Sequence, residues 1–106
     1  MQTNNKLSFI AQTIISQLGG MGKLTSMISA WNFKEEEKPD GISFRFKGSK
    51  IANYVKITCV SDLYVMEFML ISAKKGECKA GEKYEDVYWD MLVNFFEDYT
   101  KLRLSL

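Results

Sequence analysis

Apolar and polar positions change rhythm several times along the chain. From Asn5 to Leu18, Leu7, Ile10, Ala11, Ile14 and Leu18 recur every three or four residues, the spacing of a helix with one buried side. Gly19-Gly20 then supplies the stop expected at a helix C-terminus. Lys23 to Phe33 fits two periods. Leu24, Met27, Ile28 and Trp31 suit a short helix, whereas Met27, Ser29, Trp31 and Phe33 suit one face of a strand. The turn residues Pro39-Asp40-Gly41 favour the strand, because Ile42 to Lys47 then alternates cleanly and a hairpin would join the two.

In that second strand Ile42, Phe44 and Phe46 share one side, and Ser43, Arg45 and Lys47 the other. A loop from Gly48 to Asn53 leads to a third strand, Tyr54 to Val60, with Val55, Ile57 and Cys59 inward and Tyr54, Lys56 and Thr58 outward. Ser61-Asp62 connects it to a fourth, Leu63 to Ser72, which is largely apolar on both faces and so predicts either a central strand or one whose outer face is partly covered. Lys74 to Lys83 is rich in Lys and Gly and predicts a polar loop.

The close, Tyr84 to Leu106, carries six aromatic rings between Tyr84 and Tyr99 and no glycine or proline. Its spacing predicts one long helix with two apolar stripes. Tyr84, Val87, Tyr88, Met91, Leu92, Phe95, Tyr99 and Leu102 form a core face; Trp89, Val93 and Phe96 form a second stripe, either further core or a partner contact. Acidic residues near its start and Lys101 and Arg103 near its end suit the helix dipole. The expected fold is therefore α+β, one domain over residues 1–106. Four antiparallel strands follow each other, with N- and C-terminal helices on one face, in the order α-β-β-β-β-α.

Composition narrows the chemistry. Fourteen basic against thirteen acidic side chains leave no global field to draw the chain onto nucleic acid or an anionic membrane. Histidine is absent, which removes the usual general base near neutral pH and the commonest transition-metal ligand. Cys59 in an apolar run reads as a small core residue, and Cys78 in the Lys/Gly/Glu stretch as an exposed thiol. Leu7 to Leu18 is broken by Ser8, Gln12, Thr13, Ser16 and Gln17, so it reads as a helix rather than a leader. No apolar run approaches the roughly 20 residues of a membrane span. The expectation is a cytoplasmic protein with no membrane contact, no cofactor and no bound metal.

Three constellations remain. Gly19-Gly20-Met21-Gly22 follows a helix instead of a strand, so it is a cap and turn and not a phosphate cradle. Arg45, Lys47, Lys50, Tyr54 and Lys56 form a basic sheet-face patch with one ring, the candidate nucleic-acid site. Asp86, Asp90 and Glu97 would align along one side of the closing helix, but a metal or acid/base site needs a further converging carboxylate. No catalytic residue is assigned.

The helix end QLGG (Gln17 to Gly20), Asn32-Phe33, FRFKGSKIANYVKIT (Phe44 to Thr58), YVMEF (Tyr64 to Phe68) and the closing VYWDML…FFEDYTKLRLSL together resemble a group of small proteins from phages and mobile elements of gut bacteria such as Bacteroides. The resemblance spans nearly the whole chain and brings no catalytic motif. It implies a non-enzymatic accessory protein working in the bacterial host cytoplasm. Its partners would be host or phage proteins, host-defence proteins by analogy, or a second copy of itself. Trp89, Val93 and Phe96 are the expected partner-binding residues, with nucleic acid as the alternative partner.

Overall fold

The computed structural model describes residues 8–104. The Asn5 to Leu7 start expected for the first helix lies outside the described residues, as do the last two residues of the close. Helix α1 spans Phe9–Gln17, and Ser8 caps it by accepting the Ala11 N–H on its Oγ at 3.2 Å. Gly19 and Gly20 sit at φ +117° and +99°, and the Gly20 N–H closes on the Ile15 carbonyl at 2.9 Å. Only glycine enters such conformations without strain, which is why α1 stops here as its sequence predicts.

The chain then turns at once into a second helix, α2, Met21–Ile28. This corrects the strand expected over Lys23 to Phe33. Leu24 and Ile28, one turn apart, are both buried, so the helical period wins. Extension begins only at β1, Trp31–Glu36, which takes in Glu35 and Glu36. Four more strands follow: β2 Gly41–Arg45, β3 Tyr54–Val60, β4 Leu63–Ser72 and β5 Glu77–Val87. All pair antiparallel in chain order. The α+β class and the terminal helices on one face hold; the strand count is five, not four, and there is an additional helix.

One face of the sheet is the core. Register sets Ile42 beside Ile57 and Met66, and Phe44 beside Val55 and Phe68, all six side chains being buried. The apolar sides of α1, α2 and the closing helix join the same cluster. Between β2 and β3, Asn53 stands in for a strand partner. Its Nδ2 donates to the Ile71 carbonyl and its Oδ1 accepts the Ile71 N–H, both at 2.8 Å. That bidentate pair ties the loop to β4.

β5 runs through what charge and glycine suggest is a loop. It is an edge strand exposed over most of its length, so it has no apolar alternation to betray it. Its register shifts twice against β4, once between Glu67 and Met69 and once between Tyr64 and Met66. At the first shift a Cβ on Gly81 would stand 2.5 Å from the Tyr99 hydroxyl, and the Glu82 N–H donates to that hydroxyl at 3.3 Å. Near the second, Asp86 takes φ +57°.

The long closing helix is also corrected. Tyr84 to Val87 belong to β5, Trp89–Met91 form a single 3-10 turn, and helix α3 covers only Leu92–Thr100. Aromatic residues serve strands as readily as helices, and the positive φ at Asp86 breaks any helix across it. On α3, Leu92, Phe96 and Thr100 are the buried row, each one turn from the next. Phe96 packs at 5.0 Å from Phe46 and 6.0 Å from Phe68, centroid to centroid.

Candidate functional site

The expected partner stripe does not exist as a surface. Phe96 is fully buried, Val93 packs half-buried against the core, and Trp89 is 62% exposed. The stripe fails because Trp89 precedes α3 and never shares its axis. Two members of the expected core face move the other way: Tyr88 is 56% and Met91 40% exposed. Tyr84, Phe95 and Tyr99 do pack together, with Tyr84 at 5.0 Å from Phe95 and 6.1 Å from Tyr99.

Tyr88, Trp89 and Met91 therefore make an exposed apolar turn. It is fixed at both ends, by buried Val87 before it and buried Leu92 after it, and closed by the Met91 N–H donating to the Tyr88 carbonyl at 2.9 Å. Exposed Glu85, Asp86 and Asp90 surround it in sequence. Asp86, Asp90 and Glu97 do not align on one helix, as they sit on β5, the 3-10 turn and α3 respectively. Glu97 accepts the Leu104 N–H on Oε2 at 2.7 Å, pinning the chain after α3. Among the described residues, no three His, Cys, Asp or Glu side chains gather as metal ligands would. Cys59 is half-buried against the core and Cys78 exposed on β5; both thiols are free.

The basic patch is divided. Arg45, Tyr54 and Lys56 lie on the outer sheet face, with Tyr54 directly opposite Arg45 in register. Lys56 faces Glu67 at 3.8 Å, so its charge is partly compensated. Lys50 is elsewhere, lining clefts beside α3 with Thr100, Lys101 and Tyr99. Lys47 is exposed just past β2, its backbone N–H bonded to the Ile28 carbonyl at 3.0 Å.

A residue outside that patch joins it. Asn32, at φ +57°, marks a bulge that shifts the β1 register between Trp31 and Lys34. Two residues that ordinary alternation would put on one face are thereby separated. Phe33 turns inward to pack 5.1 Å from Phe44, and Trp31 turns outward over Arg45, whose guanidinium carbon lies 5.0 Å from the ring centroid. The one hint in the sequence is Asn32 itself, a residue that tolerates the left-handed region.

Burial raises the pKa of the Tyr64 hydroxyl, with Cys59 adding to the effect and a hydrogen bond from Gln17 opposing it. Burial likewise raises that of Tyr84, assisted by Glu82, Tyr99 and Asp98. The upward shift favours the protonated hydroxyl in both tyrosines. No family model, curated protein or solved structure matches the chain. No described helix is long and apolar enough to cross a membrane.

Proposed function

We propose that the protein is a non-enzymatic binding module that acts through protein contacts, with the turn Tyr88-Trp89-Met91 as its anchor. The observation that carries this is the exposure of three large apolar side chains within four residues, on a turn held at both ends by the core. A rigid turn loses little conformational freedom on binding, and tryptophan and tyrosine at the centre of a contact supply most of its energy. The carboxylates of Glu85, Asp86 and Asp90 favour a partner whose apolar pocket is rimmed by Lys or Arg. In the setting the resemblance implies, a phage or mobile element, that partner is a protein of the bacterial host cytoplasm, with a defence protein as one instance.

Affinity capture from host lysate tests the reading when wild type is run beside Trp89→Ala and Met91→Ala. A host protein held by wild type should be lost with both variants while circular dichroism and melting stay native. Equal capture by all three removes the turn from any interface.

A further inference from the structure

The outer sheet face is organised by register into rows that cross the strands. One row runs Trp31, Arg45, Tyr54, Met69, Ala80; the next runs Lys34, Ser43, Lys56, Glu67, Lys83. The first row contains no carboxylate. In the second, Glu67 meets Lys56 at 3.8 Å, and beside it Glu36 accepts a hydrogen bond from the Ser43 hydroxyl at 2.8 Å. Glu67 and Glu36 are thus engaged by their own neighbours, and Glu85 likewise meets Lys83 of the second row at 3.6 Å.

Arg45 is in a different condition. Among the described residues no carboxylate lies within ion-pair distance of it, and its buried Nε makes no hydrogen bond. The guanidinium rests instead against the Trp31 ring, which leaves its charge unneutralised. Trp31 stays 46% exposed, and Tyr54 flanks Arg45 on the opposite side, half-buried. Adjacent strands lie about 4.8 Å apart, so the backbone positions that carry the two rings stand about 10 Å apart, with that of Arg45 between them.

We propose that this end of the outer sheet face binds single-stranded nucleic acid. Bases stack on Trp31 and Tyr54, and Arg45 holds the intervening phosphate with Lys34 beside it. A duplex hides its base faces and cannot use the rings, whereas a splayed strand can. Phosphate complements a row that carries positive charge and no acid. The bulge at Asn32 gives the face its second ring, which is what separates this platform from the solvated face of an ordinary sheet. The site is distinct from the turn at Trp89 and stands whether or not that turn meets a protein.

Fluorescence anisotropy with a labelled oligothymidylate of about a dozen nucleotides, at low salt, tests the proposal. The Trp89→Phe variant should bind as wild type does and leaves Trp31 as the sole tryptophan, so oligonucleotide should quench its emission. Trp31→Ala and Tyr54→Ala should each weaken binding about tenfold or more. Arg45→Gln should make the slope of log affinity against log salt shallower by about 0.7. The proposal is overturned by no anisotropy change at low salt, by Trp31→Ala binding like wild type, or by tighter binding to duplex. A wild-type dimer in sedimentation that Trp31→Ala dissociates would also overturn it, assigning the face to a second copy.

Discussion

Phe96→Ala set against Trp89→Ala separates core from surface in the closing segment. Phe96 has no exposed surface and lies between the rings of Phe46 and Phe68. A buried phenylalanine removes at least about 150 Å² from water, which at about 25 cal/mol per Å² is about 4 kcal/mol. Phe→Ala in packed cores costs about 3–5 kcal/mol, in agreement. A chain of 106 residues is stable by about 5–15 kcal/mol in total, so the variant loses a large share of that. With a urea dependence of about 1.5 kcal/mol/M, the midpoint should fall by about 2–3 M. Trp89, 62% exposed, should cost under about 1 kcal/mol and move the midpoint by less than about 0.7 M. Should Phe96→Ala be too unstable to titrate, Phe96→Leu should show a smaller loss, about 1–2 kcal/mol. Equal midpoints for the Phe96 and Trp89 variants would refute the assignment of Phe96 to the core and Trp89 to the surface.

Gly81→Ala should destabilise by about 1–3 kcal/mol in the same titration, because its Cβ meets the Tyr99 hydroxyl and the Phe68 carbonyl. Tyr99→Phe removes the first obstacle, so the double variant should cost less than the sum of the singles, and strict additivity would count against the bulge geometry. Tyr64 holds its proton more tightly folded than unfolded, so its contribution is complete below the unfolded value near 10 and lost as pH rises through the higher folded value. Melting temperature should therefore fall less steeply from pH 9 to 11 in Tyr64→Phe than in wild type; parallel curves would dismiss the linkage.

Where burial is one-sided, the alternation of residues reports it directly. The third and fourth strands match their expected bounds, Tyr54–Val60 and Leu63–Ser72, because each has neighbours on both edges and a core on one face. β5 escapes detection for the opposite reason. Its edge position leaves Glu77 to Glu85 largely in water, where Lys, Glu and Gly serve as well as apolar residues. The rings from Tyr84 onward happen to repeat at helical spacing, yet Tyr84 reaches the core from a strand and Phe96 from a helix. Both recurrent errors, at Trp31/Phe33 and at Tyr84/Trp89, arise beside a non-glycine residue with positive φ, Asn32 and Asp86. One left-handed residue reverses which side every later residue faces, and no periodicity counted across it survives.

The order in which the strands pair has a kinetic consequence. Each of the four hairpins joins neighbours along the chain, so the sheet can zip up from short closures at small entropic cost. The α3 contacts are of another kind, since Phe96 must find Phe46 and Phe68 across most of the sheet. Until Leu92–Thr100 docks, the part of the apolar face around Phe46 and Phe68, which α3 covers, is open to water and to other chains. Arrival of the last helix therefore closes the portion of the core that α1 and α2 cannot reach, and ends the interval in which that portion can stick to other chains.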